Sequence, residues 1–97
     1  MPDVIDNPSE SRFEVSVDGH LAHLDYERHG HQLVLIHTEV PEELGGQGLG
    51  AELVKAAVKT AKSEDLSIVA ECSYARKWLE RHPAEIAGLK QDPVRAR

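Results

Sequence analysis

Gln32-Leu33-Val34-Leu35-Ile36-His37-Thr38, then Val40-Pro41-Glu42-Glu43-Leu44, then Gly45-Gly46-Gln47-Gly48-Leu49-Gly50 running into Ala51-Glu52-Leu53-Val54: the chain here passes from strand to glycine loop to helix. Leu33 to Ile36 is apolar at every position, the mark of a strand in the middle of a sheet with both faces covered. Pro41 ends that strand, since proline brings no N–H to a ladder. Beyond the glycines, Leu49, Leu53, Ala57 and Ala61, joined by Val54 and Val58, make one apolar stripe reaching about Ser63. Glu52, Lys55, Lys59 and Lys62 take the other side, as in an amphipathic helix. The lysines lean toward its C-terminal end, where the helix dipole favours cations. Leu66 to Glu71 is a short β-branched strand, and its link through a helix makes a β-α-β crossover, so the two strands should be parallel.

Working back toward the N-terminus, Phe13, Val15 and Val17 alternate with Arg12, Glu14 and Ser16, the period of a half-buried strand. Asp18-Gly19 is a two-residue hairpin signal, because both central positions of a type I′ turn need positive φ. From His20 to Arg28, Ala22, Leu24 and Tyr26 share one face and His23, Asp25 and Glu27 the other. His29-Gly30 supplies the next turn. Three strands joined by short turns form an antiparallel meander. On the C-terminal side, a second helix covers about Tyr74 to Arg81 and stops before His82-Pro83, since a residue preceding proline disfavours helix. Ala84 to Leu89 is expected to add a turn of helix. The fold class is therefore α/β (α+β): a three-stranded meander, a β-α-β crossover and a C-terminal helix. Residues 1–11, with two prolines and no periodicity, are expected as a disordered tail, 12–89 as the one domain, and 90–97 as a frayed end.

The chain has 97 residues, enough for one core and no second domain. Its net charge of −6 argues against non-specific binding to nucleic acid. No apolar run approaches the roughly 20 residues of a membrane span, and the acidic, proline-bearing start is not a signal peptide. The one cysteine, Cys72, rules out an internal disulfide and fits a reducing compartment, so a cytoplasmic location is expected. His20 and His23 point to opposite faces of a strand, and Cys72 lacks a partner at zinc spacing, so no metal site is expected.

Gly46, Gly48 and Gly50 allow a tight turn and close backbone approach to a ligand. The helix they open leaves unpaired N–H groups in front of the positive end of its dipole, a geometry that binds phosphate. A connecting turn with no ligand is the plainer reading, which four glycines in six residues at a helix start do not favour. Three phosphate chemistries separate here. Gly50 is followed by Ala51-Glu52 in place of Lys-Ser/Thr, so this is not a Walker loop. Gly46-x-Gly48-x-x-Ala51, with Glu71 closing the next strand, fits a dinucleotide fingerprint. However, Thr38 to Leu44 separate the strand from the glycines and a hairpin precedes the only crossover. The third is an acyl-coenzyme A loop.

His37 to Gly50 resembles the pyrophosphate-binding segment of the GNAT superfamily of N-acetyltransferases. Cys72-Ser73-Tyr74-Ala75-Arg76-Lys77-Trp78-Leu79-Glu80-Arg81-His82-Pro83 resembles the signature of its short, stand-alone members. The likeness covers about Phe13 to Pro83. Gly48 and Gly50 match the two small positions of the family's Arg/Gln-x-x-Gly-x-Gly/Ala loop, while Gly45 stands where Arg or Gln is usual. The resemblance implies acetyl-coenzyme A as cofactor and a primary amine as acceptor: a protein lysine, an N-terminus or a small polyamine. It implies that Gly46 to Ala51 hold the pyrophosphate, with Gly45, Gln47 and Leu49 in the same loop. It also implies a strand from Leu35 to Thr38 that splays from Ile68 to Cys72, so that Ile36, His37, Thr38, Val40 and Cys72 border the pantetheine arm. Helices usual between the family's first two strands are absent, replaced by Asp18-Gly19, as are the strands usual after its last helix. The acceptor site is accordingly expected to be open, or to be completed by another chain or by the substrate.

Acetyl transfer needs a deprotonated amine, a positioned carbonyl and a proton for the leaving thiolate. Glu39, just after the central strand, is the general-base candidate, against a plain solvated carboxylate; His37 shares that role only if the strand stays regular. Cys72 is a candidate proton donor or acyl carrier, against a small buried apolar residue. The family's helix tyrosine falls at Leu79 by alignment on Cys72-x-x-Ala75, so proton donation is left between Tyr74 and Cys72. Lys77 and Arg81, four apart, suit the coenzyme's phosphate near its adenosine, or are a solvated face; Trp78 beside them reads as a core anchor, against a ligand platform, and with Tyr74 is also counted among the coenzyme-binding candidates. Glu39, Glu42 and Glu43 are expected to face a cationic amine. A coenzyme-binding module without turnover is the rival function.

Overall fold

Strand pairing follows chain order without exception. The computed structural model describes residues 3–94. In it β1 (Ile5–Asn7), β2 (Arg12–Val17), β3 (His20–His29) and β4 (Gln32–Glu39) precede a 3-10 turn at Glu42–Leu44. Then come α1 (Leu49–Ser63), β5 (Ser67–Ala70), α2 (Ser73–Arg81) and β6 (Lys90–Gln91). One sheet holds all six strands in the order β1-β2-β3-β4-β5-β6. It is antiparallel as far as β4 and parallel from β4 to β6. Asp18 and Gly19 take φ of 51° and 79°, the positive pair that a type I′ hairpin requires. The β3–β4 turn is Gly30-His31, one residue later than expected, with Gly30 at φ 57°.

Both crossovers, β4 to β5 and β5 to β6, step the same way along the sheet. Right-handed connections that step the same way put their helices on the same face. The core lies there: Leu53, Val54, Ala57 and Val58 of α1 and Ala75, Trp78 and Leu79 of α2 join Phe13, Leu24, Leu33, Leu35 and Ile68 of the sheet. Among the described residues no helix covers the opposite face. This corrects the reading of Leu33 to Ile36 as a strand covered on both sides. Val34 is buried, yet its cross-strand neighbour is Val69, and neither belongs to the main core cluster.

The expected N-terminal tail contains β1. Ile5 to Asn7 run beside Glu14 to Arg12, and Tyr26 Oη donates to Asp6 Oδ1 at 2.6 Å. Arg28 lies 3.7 Å from Asp6 and, through its other nitrogen, 2.7 Å from Glu64. Polar side chains fix this edge strand, so the sequence carries no alternation to mark it. At the other end, Lys90–Gln91 pairs with Ser67 and Ile68 where fraying was expected; Lys90 Nζ donates to Asp65 at 2.7 Å and Gln32 to Asp92 at 2.8 Å. Ala84 to Leu89 is a run of turns instead of a helix, with Gly88 at φ 84°. Residues 1–2 and 95–97, expected within the two tails, lie outside the described residues.

Tyr74 of α2 packs against Gly50 at the start of α1. A Cβ built on Gly50 would lie 2.8 Å from Tyr74 Oη and 2.9 Å from Cζ, so Gly50 leaves room for the tyrosine ring. Gly50→Ala should therefore turn the Tyr74 ring away and lose stability, whereas in a Tyr74→Ala background it should gain up to about 1 kcal/mol from helix propensity. Equal effects in the two backgrounds, by urea unfolding, would show that the ring and the glycine are uncoupled.

Two carboxyls make acid stability testable. Glu14 is held below the ordinary carboxylate range first by its hydrogen bond from Arg12, and Asp65 below it first by its hydrogen bond from Lys90. Because their folded values are depressed, the stability they give is present above the ordinary range near pH 4 and is lost as pH falls through the folded values. Glu14→Gln should flatten the fall in urea midpoint between about pH 5 and 2.5; a fall as steep as wild type would exclude Glu14 from it.

Candidate active site

β4 has eight residues and β5 four, and their pairing ends at Leu35 with Ala70. One more bond, Cys72 N–H to Leu35 O at 2.8 Å, closes the pairing. Beyond it Ile36 to Glu39 keep β3 on one side only. Their other edge faces the gap left where β5 gives way to α2. Backbone groups along a free edge are where an extended ligand adds as a strand.

A one-residue shift on β4 decides what borders this gap. Tyr26 pairs with Leu35 but Asp25 pairs with His37, so Ile36 is the extra residue of a β-bulge. Past the bulge Thr38 lies opposite Leu24 and shares its helix-covered face, where Thr38 Oγ1 is 3.2 Å from Cys72 Sγ. His37 and Glu39 turn to the open face, opposite Asp25 and His23. The strand is irregular at Ile36, but His37 and Glu39 both follow the bulge and so share a side. Glu39 is 62% exposed and its Oε2 lies 3.2 Å from His23 Nε2. Cys72, 6% exposed, belongs to the core cluster and serves as the N-cap residue of α2 without a side-chain capping bond. Glu39 and Cys72 thus flank the gap from opposite faces of the sheet.

The glycine loop lies at the end of that gap. Gly46 and Gly48 have φ of 80° and 73°, conformations that strain any other L residue. Gly48 is the N-cap of α1, and no side chain caps the helix, so the amides of Leu49, Gly50 and Ala51 face outward in front of the dipole. A cleft of about 350 Å³ opens there, with Val40, Pro41, Gly46, Gly48 and Tyr74 among its walls. Leu49 offers only its backbone, its side chain being buried. Gln47 and Gly45 are exposed. Glu42 also lines the cleft, away from Glu39 on the sheet face, so the three glutamates expected together do not form one cluster.

Tyr74, Lys77, Trp78 and Arg81 lie on one side of α2 and border a second recess of about 160 Å³ with His82. Trp78 is the core anchor expected; the His82 ring stacks on it at 4.3 Å and hydrogen-bonds the Trp78 carbonyl through Nδ1 at 2.7 Å. Arg76 is engaged elsewhere, donating to the carbonyls of Ala70 at 3.2 Å and Glu71 at 3.4 Å. It holds the end of β5 and leaves Lys77 and Arg81 as the cations of the recess. The Tyr74 phenol is pushed above its ordinary value, first by burial and then by the nearby Cys72. It stays protonated at neutral pH and can act as an acid.

Two residues were missed in the sequence. His82 was readable as the i+4 partner of Trp78. His23 was placed on the correct face of β3, but its pairing with Glu39 depends on the bulge, which nothing in Leu33 to Ile36 announces. The arrangement offers an anion seat at a helix start, a free strand edge leading to it, and acid–base groups on both faces of the gap.

Comparison with known proteins fits this arrangement. Residues 12–89 match the family model of the GCN5-related N-acetyltransferases. The mouse protein NATD1 is 37% identical over 75 residues, covering 74% of this chain and 68% of the relative. Human NATD1 is 39% identical over 59 residues, covering 60% of this chain and about half, 52%, of the relative. The NMR structure of a GCN5-like protein from Staphylococcus aureus superposes with a TM-score of 0.72 at 30% identity, over 98% of this chain and 92% of the other. The matched segment contains the β4 edge, the glycine loop and α2 alike, and the chain belongs to the GCN5-related N-acetyltransferase family.

Proposed function

We propose that the chain binds acetyl-coenzyme A along the free edge of β4 and transfers its acetyl group to a primary amine. The observation that carries this reading is the four-residue overhang of β4 beyond β5, leading to the uncapped start of α1. The amides of Leu49 to Ala51 would bind the pyrophosphate, and Lys77 and Arg81 the more distant phosphate. Backbone groups of Ile36 to Val40 would pair with the pantetheine amides. Glu39, exposed on the open face, takes a proton from the acceptor ammonium. The freed amine nitrogen bonds to the thioester carbonyl carbon, the carbon–sulfur bond breaks, the nitrogen gives up its second proton as the amide forms, which restores the acid, and the thiolate takes a proton from that acid. Tyr74, at a wall of the glycine cleft, and Cys72, its Sγ 3.2 Å from Thr38 Oγ1, are the two candidate donors of that proton.

The acceptor approaches from the uncovered sheet face, where Asp25 and Glu39 favour a cation such as a lysine side chain or a polyamine. That same bareness favours the rival reading, a coenzyme-binding module without turnover, because the helices that usually flank the acceptor are missing.

Calorimetric titration with acetyl-coenzyme A is the first test, with one saturable site per chain expected. Gly48→Glu should abolish binding by placing a carboxylate before the helix start. Gly48→Ala carries the same strain, about 1–2 kcal/mol, and should still bind. Equal affinity in all three would move the coenzyme elsewhere. Glu39→Gln should bind the coenzyme normally and lower kcat by about 10²–10⁴-fold. Tight binding without acetylation of lysine peptides or polyamines would favour the module.

A further inference from the structure

We infer that His23 is the positioning residue of the transfer reaction: it orients Glu39 and receives the proton that Glu39 removes from the acceptor. The inference rests on the acetyltransferase reading above. His23 Nδ1 lies 3.0 Å from Asp25 Oδ1 and Nε2 lies 3.2 Å from Glu39 Oε2. The imidazole side chain is 16% exposed, against 39% for Asp25 and 62% for Glu39, so the ring is the sheltered member of the three. Sheet geometry produces this arrangement: Asp25 follows His23 by two residues on the same face, and Glu39 stands directly opposite His23 past the bulge.

Ionised carboxylates only accept hydrogen bonds. With both ring nitrogens against carboxyl oxygens, both contacts are satisfied only when one proton, beyond the one on Nδ1, sits on Nε2 or on Glu39. Asp25 accepts from Nδ1–H and fixes the tautomer, which leaves Nε2 directed at Glu39. As the acceptor ammonium loses its proton, its N–H bond breaks and an O–H bond forms on Glu39. That O–H then breaks as Nε2–H forms, and Asp25, still ionised, balances the imidazolium. Glu39 is thereby returned to its carboxylate form beside the amine. The other charged or titratable groups directed at this trio are Glu14 and Arg12 from β2, opposite His23 and Asp25, and His37 from β4, opposite Asp25. Arg12 and Glu14 are paired with each other. A purely structural cross-strand pair would show the same distances but would not move protons.

The test is the kcat–pH profile of the full chain from pH 5.5 to 9 with acetyl-coenzyme A and a lysine peptide. His23→Gln should lower kcat about tenfold or more with the KM for acetyl-coenzyme A unchanged, and should move the acidic limb of the profile to lower pH, leaving Glu39 alone. Added imidazole should restore part of the activity of His23→Ala. Should His23 variants not fold, Asp25→Asn keeps an acceptor for Nδ1–H without its charge, and should lower kcat in the same direction. An unchanged profile in His23→Gln, or in Asp25→Asn where that variant stands in, would overturn the inference while leaving the transferase reading intact. Full activity in Glu39→Gln would remove both the base assignment and the role of His23. A wild-type chain that binds the coenzyme but acetylates no amine overturns the transferase reading and this inference together.

Discussion

Ile36 is one residue more than the β3–β4 ladder has room for, and the chemistry of the molecule follows from where that residue is accommodated. Side chains alternate with a period of two, so a one-residue slip exchanges the faces of everything beyond it. Without the bulge the register of Tyr26 with Leu35 would continue to His23 with Thr38. Glu39 and His37 would then point into the apolar layer beneath α1 and α2, where a carboxylate without a partner is costly. Thr38 would lose Cys72 and face water. The bulge returns the charged residues to solvent and also brings Glu39 opposite His23.

The second constraint is that both helices lie on one side. A buried Leu, Phe or Val side chain stabilises by about 1.5–3 kcal/mol, and an exposed ion pair by about 0–1. The side that carries Phe13, Leu24, Leu33, Leu35 and Leu53 therefore supplies nearly all of the stability. The opposite face, with its lattice of Arg12, Glu14, His23, Asp25, His37 and Glu39, contributes little to holding the fold. Its side chains are free to differ according to what must be bound, positioned or protonated there.

This division also explains which features the sequence revealed. Elements that bury one face carry a period: Phe13, Val15 and Val17 gave β2, the Leu49–Leu53–Ala57 stripe gave α1, and the paired positive φ of Asp18-Gly19 gave the hairpin. β1 was not legible because polar side chains hold it, Tyr26 to Asp6 and Asn7 to Glu14. The bulge was not legible because Leu33 to Ile36 are all apolar, and an unbroken apolar run records no register. Glu39 was picked out from its place after the central strand, while its partner His23 could only be found by counting residues across two strands. Arg76 is one more cation beside Lys77 in sequence; only the ends of β5 and α2, brought together in space, show that it is engaged by backbone carbonyls.

The glycines of the loop differ in their work in the same non-local way. Gly46 and Gly48 are needed for their own backbone angles, which local sequence can suggest. Gly50 is helical, and its missing side chain makes room for the Tyr74 ring, which comes from 24 positions further along the chain. The loop and the start of α2 therefore form one packed unit, with Tyr74 at a wall of the glycine cleft and the Cys72–Thr38 contact two residues before it. In the proposed reaction, the groups that protonate the leaving thiolate then belong to the helix face, and the group that takes the proton from the amine belongs to the open face. The overhang of β4 is where the two faces meet, so in that reaction the amine would reach the thioester carbon from the open face without sharing an entrance with the coenzyme.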